Sequence, residues 1–119
     1  MNPRIRKVIA LMQEDLSSHL TLSEVAGAVG YTVPYLCAMF KAETGQSPAH
    51  YYKSLRIAKA RELLESDEAA TLSVKEVAVR VGVHDLSHFA RDFEQQFGVS
   101  PKHYRARHFG WEDGFGVMT

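Results

Sequence analysis

Apolar residues recur at Leu22, Val25, Ala26 and Val29, and again at Val74, Val77, Ala78 and Val81. Both sets follow the i, i+3, i+4, i+7 spacing that gathers side chains on one helical face. Each therefore predicts a short amphipathic helix. Immediately ahead stand Thr21-Leu-Ser-Glu24 and Ser73-Val-Lys-Glu76, capping boxes in which hydroxyl and carboxylate satisfy free N–H groups at a helix start. Gly30 and Gly82 follow, where a left-handed residue stops a helix. A second apolar set comes next, Leu36, Met39 and Phe40 in one case and Phe89, Phe93 and Phe97 in the other, closed by Gly45 or Gly98.

The two stretches are copies of one pattern. Glu24, Val25, Ala26, Val29 and Gly30 align with Glu76, Val77, Ala78, Val81 and Gly82. After a one-residue insertion Leu36, Phe40, Gly45, Ser47, Pro48 and Tyr51 align with Phe89, Phe93, Gly98, Ser100, Pro101 and Tyr104. Two copies are too few for a solenoid, which needs at least about three stacked units, so a tandem pair of small modules is predicted. In each Ser-Pro pair the serine suits an N-cap and the proline the first helical position, where a missing N–H costs nothing. A helix is expected from Pro48 to Ser66, with Tyr51, Leu55, Ala58, Leu63 and Leu64 on one recurring face. At ~1.5 Å per residue it is roughly 27 Å long.

The organisation read from this pattern is a leading helix with the first module at 1–47, a connecting helix at 48–66, the second module at 67–108 and a tail, FGWEDGFGVMT, at 109–119. The tail lies outside both repeats and is expected to be a flexible end that docks either on the domain or on a partner. Short helix, glycine turn, second helix is the helix-turn-helix arrangement. Each second helix packs one stripe on the core and leaves another to solvent. The solvent stripe carries Pro34, Cys37, Ala38 and Lys41 in the first copy, and Ser87, His88 and Arg91 with Asp92 or Glu94 in the second. The major groove of DNA is wide enough to admit such a helix.

Composition narrows the picture. A chain of 119 residues builds one domain or two very small ones. Lys plus Arg equals Asp plus Glu, 14 each, so total charge does not announce a nucleic-acid partner. Distribution says more. Thr71 to His108 holds Lys75, Arg80, Arg91, Lys102, Arg105 and Arg107 against Glu76, Asp85, Asp92 and Glu94, while the stretches on either side are acidic. Cys37 is the only cysteine, which excludes an intramolecular disulfide and fits a reducing cytoplasm. MNPRIRKVIALMQEDL regains charge at Glu14 and Asp15, which marks a helix, not a signal peptide. No apolar run approaches the roughly 18 residues that a membrane span needs.

With those residues in view, the chain resembles the DNA-binding domain of the AraC/XylS family of bacterial transcription regulators. The resemblance runs from Ile5 to Arg107, most specifically through LSEVAGAVGYTVPYLCAMFKAETGQSPAHYYKSLRIAKARELL and VKEVAVRVGVHDLSHFARDFEQQFGVSPKHYR. The second is similar to the family's Gly-aromatic-x-x-x-S-x-F-x-R-x-F run leading to F-G-x-x-P-x-x-Y-R. The resemblance implies an all-α fold of seven helices, with two helix-turn-helix subdomains joined by a long central helix. It also implies sequence-specific binding of double-stranded DNA by a transcription regulator, usually an activator that contacts RNA polymerase. Its contact positions fall on Thr32, Pro34, Tyr35, Cys37, Ala38 and Lys41 in the first reading helix, and on Asp85, Ser87, His88 and Arg91 in the second. Helix starts near Ser23, Ser73 and Pro101 would hold phosphates. The chain departs from the family pattern at Cys37 and Ala38, where polar or basic residues are frequent, and at Val83, where an aromatic is frequent.

Other chemistries find less support. His84 and His88 are four apart, but His84 falls in the turn and no third ligand is evident, so no metal and no cofactor are expected. No glycine-rich phosphate loop or nucleophile constellation points to an enzyme. A monomer without membrane contact is expected for this segment. The competing reading is a protein-interaction module of the same fold with weak or lost DNA affinity, favoured by the neutral charge and by a first reading helix poor in hydrogen-bond donors.

Overall fold

The computed structural model describes residues 1–18 and 20–111. They form seven helices: α1 (Pro3–Glu14), α2 (Leu22–Ala28), α3 (Val33–Thr44), α4 (Pro48–Glu65), α5 (Val74–Arg80), α6 (Leu86–Phe97) and α7 (Pro101–Phe109). Among the described residues there is no strand, so the expected all-α, seven-helix architecture is the one observed. No described helix is long and apolar enough to cross a membrane.

Local chemistry accounts for the helix boundaries. Both capping boxes form: the Glu24 N–H donates to Thr21 Oγ1 at 3.1 Å while the Thr21 N–H donates to Glu24 Oε1 at 2.9 Å. Ser73 and Glu76 repeat this at 3.0 and 2.8 Å. Ser100 caps α7 by accepting from the His103 N–H at 3.1 Å, with Pro101 in the first turn. Gly45 and Gly98 close α3 and α6 in the left-handed region, with φ of 80° and 82°, a conformation that costs a side-chain-bearing residue about 1–2 kcal/mol.

The chain divides into two compact units, one spanning Met1–Leu55 and the other starting at Arg56. In the first, Ile5, Val8 and Met12 of α1 meet Val25, Ala26, Val29, Leu36 and Phe40 in a closed core. The Tyr52 hydroxyl donates to the carbonyls of Asp15 and Ser18, tying the chain after α1 to α4. In the second, Ile57, Ala60 and Leu64 of α4 pack with Val77, Ala78, Val81, Phe89 and Phe93.

The connecting helix departs from the expected single apolar face. Tyr51, Tyr52 and Leu55 pack on the first core, whereas Ile57, Ala60 and Leu64 pack on the second. The stripe breaks at Arg56 because the helix serves two cores in succession. α7 also continues through Phe109 before the left-handed Gly110 ends it, so the first tail residue is helical. The Trp111 ring stacks on Phe109 at 5.4 Å. The remainder of the expected tail, 112–119, lies outside the described residues.

Candidate nucleic-acid interface

The second helix of each unit is anchored by residues four apart, Leu36 and Phe40 in α3 and Phe89 and Phe93 in α6, all fully buried. That spacing fixes which side faces outward. On α6, Ser87, His88 and Arg91 are all exposed. They stand at i, i+1 and i+4, which gathers them on one outer stripe. On α3, Pro34, Tyr35, Ala38 and Lys41 are exposed and Cys37 is half-buried at the edge of the same stripe. The structure thus brings these residues of each unit onto one helix face and leaves Thr32 and Asp85 at the helix starts.

Two of the expected residues have a structural task as well. Thr32 is the N-cap of α3, its Oγ1 accepting from the Tyr35 N–H at 3.3 Å. Asp85 is the N-cap of α6, its Oδ1 accepting from the His88 N–H at 3.0 Å. That backbone hydrogen bond holds the Asp85 carboxyl below the usual carboxylate range; burial opposes it, while the charge of His88, the Ser87 N–H and the charge of Arg91 reinforce it. The capping oxygens aim at backbone donors, which leaves Ser87, His88 and Arg91 as the outward groups of the first turns of α6.

Electrostatics depart from the linear sequence at Arg105. Its side chain is only 6% exposed, and its Nη1 donates to the Leu72 carbonyl at 2.5 Å. Nε and Nη2 are buried without a hydrogen-bond partner. Burial pulls this guanidinium below its ordinary pKa. Arg105 therefore adds little to the outer charge of the second unit, whose surface is less positive than the run of residues implied. Glu24 and Glu76 sit at the starts of α2 and α5 with lowered pKa, chiefly because they accept the Thr21 and Ser73 backbone N–H groups. A phosphate approaching either helix start would meet that negative charge.

Sequence reading missed two features beside these stripes. Leu86, at the first position of α6, is 43% exposed beside Ser87; its place in the repeat, equivalent to Val33, carried the only signal. The Arg4 guanidinium lies 5.3 Å over the Tyr31 ring, and Tyr31 meets Tyr35 edge to face at 4.8 Å. No sequence periodicity links α1 to the start of α3. Among the described residues no group of three or more His, Cys, Asp or Glu is placed to hold a metal.

Two helix-turn-helix units with outward second helices define a DNA-binding class of fold, and comparison with known proteins agrees. The family described as a helix-turn-helix domain matches residues 25–107. The transcriptional regulator GbdR of Pseudomonas aeruginosa is 31% identical over 103 residues, 87% of this chain and 27% of its own. The transcriptional activator RhaS of Escherichia coli is 31% identical over 102 residues, 86% of this chain and 36% of its own. This chain thus spans about a third or less of those relatives. Among solved structures, an AraC-type regulator from Chromobacterium violaceum superposes with a TM-score of 0.83 at 26% identity, covering 89% of this chain and 92% of that one. The DNA-binding domain of AdpA, in complex with a target DNA, gives 0.82 at 26% identity over 93% and 97% of the two chains. The chain belongs to the AraC/XylS family, as its helix-turn-helix DNA-binding domain. That family is one of transcription regulators and not an enzyme class.

Proposed function

We propose that this chain binds double-stranded DNA sequence-specifically in the cytoplasm as a monomeric segment, with α3 and α6 entering successive major grooves, and that it acts as a transcription activator through contact with RNA polymerase. The observation that carries the reading is the exposed Ser87, His88 and Arg91 stripe, held outward by the buried Phe89 and Phe93. Arg91 forks onto a guanine edge, the commonest specific contact of this kind, while His88 and Ser87 donate or accept at neighbouring bases. On α3, Thr32, Pro34, Tyr35, Cys37, Ala38 and Lys41 form the second reading surface. The small side chains there suit thymine methyl groups, and Lys41 suits a phosphate. Asp85 completes the α6 surface while capping the helix. The proposed organisation is 1–47 and 67–108 as reading modules, 48–66 as the connecting helix and 109–119 as a tail. Support comes from the RhaS and GbdR relatives and from AdpA, whose domain is seen on DNA.

A second reading, a protein-interaction module, is favoured by α3, where Pro34, Cys37 and Ala38 offer no strong hydrogen-bond donor. A titration on random-sequence duplex at several salt concentrations separates the two. DNA binding weakens steeply with salt as counterions are released. Negligible binding even at low salt would remove the DNA reading.

A further inference from the structure

Three contacts in the first unit form a chain that ends on the reading helix. Arg4, exposed in the first turn of α1, lies with its guanidinium carbon 5.3 Å over the Tyr31 ring. Tyr31 stands in the turn between α2 and α3, its backbone fixed by donating to the Ala26 carbonyl at 2.9 Å. Its ring meets that of Tyr35 at 4.8 Å and 86°. Tyr35, in the first turn of α3, is 52% exposed, and its N–H is held by Thr32. With the backbones of both tyrosines fixed, the direction of the Tyr35 ring depends on its two side-chain torsions and on the ring against which it leans. Arg4 covers that supporting ring.

We propose that Arg4 is a positioning residue for DNA reading: through Tyr31 it fixes the orientation in which Tyr35 meets the groove. The inference rests on the DNA-reading function proposed above. A guanidinium over an aromatic face is attracted by the ring quadrupole, and aromatic pairs prefer the edge-to-face geometry seen here. The first turn of a recognition helix is the part that contacts base edges, so a freely turning Tyr35 ring would blur discrimination at its base step. Arg4 itself need touch no base.

The test is a double-mutant cycle on the 119-residue chain, using one duplex selected by the chain from a random pool and one random duplex. Arg4→Ala is expected to weaken the selected duplex roughly two- to fivefold, the worth of an exposed cation–π contact. It should leave the random duplex less affected, and should do almost nothing in a Tyr35→Ala or Tyr31→Leu background. Arg4→Lys, which keeps a cation over the ring, should restore most of the loss. Equal losses on both duplexes, undiminished in the Tyr35→Ala background, would make Arg4 a simple phosphate ligand and overturn the inference alone. A parent chain that binds neither duplex at low salt overturns the DNA reading and this inference with it.

Discussion

The Tyr104 hydroxyl of α7 donates to the Glu65 carboxylate at the end of α4. Arg61, 4.0 Å from the same carboxylate, lies with its guanidinium carbon 4.8 Å over Phe97, and Phe93 packs against both Phe97 and Tyr104. One polar contact thus sits on the aromatic cluster that seats α6. Burial, with Glu65 as acceptor and neighbouring charge, raises the Tyr104 pKa above its ordinary 10.0. A raised folded value means that the contribution is whole below the unfolded pKa and is lost as pH climbs through the folded one. Thermal melts should therefore show a decline above about pH 10 that Tyr104→Phe removes. At neutral pH the same variant should lose about 1 kcal/mol.

The capping carboxylates predict the opposite limb. Glu24 and Glu76 have folded pKa values below the ordinary 4.5, so their contribution is present above that value and fades as pH falls through the folded ones. Glu24→Gln with Glu76→Gln should flatten the acid side of a stability profile below about pH 4.5. An unchanged acid slope in the double variant would show that the boxes carry no charge-dependent stability.

Two glycines should respond with opposite signs. Gly27 lies inside α2, and an added Cβ would meet nothing within 4 Å. Gly27→Ala should stabilise by roughly 0.4–1 kcal/mol. Gly98 also has open space around it, but its φ is +82°, so Gly98→Ala should destabilise by about 1 kcal/mol through the backbone alone. Denaturant midpoints of the two variants, moving in opposite directions, check both.

Arg91 and His88 should carry more sequence discrimination than Cys37 or Ala38. Arg91→Ala is expected to cost about 1–3 kcal/mol on a selected duplex and to relax preference at one base position. Cys37→Ser and Ala38→Ser should change the selected sequence little. Selection from a random pool with each variant measures this, and an Arg91→Ala chain as discriminating as its parent would contradict it.

The helix starts and stops were legible because they depend on neighbours in the chain. Thr21 with Glu24, Ser73 with Glu76, and the left-handed Gly45 and Gly98 need no tertiary information. The buried faces of α2, α3, α5 and α6 follow from helical spacing for the same reason. What escaped was decided by packing between distant segments. An arginine is ordinarily a surface residue, so nothing local marks Arg105 as buried against the Leu72 carbonyl. Likewise Arg4 and Tyr31 meet only because α1 lies beside the turn before α3. The change of face along α4 was hidden because Tyr51, Leu55 and Ala58 alone can be read as one stripe, and Ile57 and Ala60 gain meaning only with a second core to fill.

Leu36 with Phe40, and Phe89 with Phe93, hold their helices from the inside, so Ala38, Ser87, His88 and Arg91 stand exposed outside both cores. The outward stripes are consequently free to drift. On the proposed DNA-reading function such a scaffold is reprogrammable: substitutions at 87, 88 and 91 should rewrite target preference while the architecture that displays them stays intact.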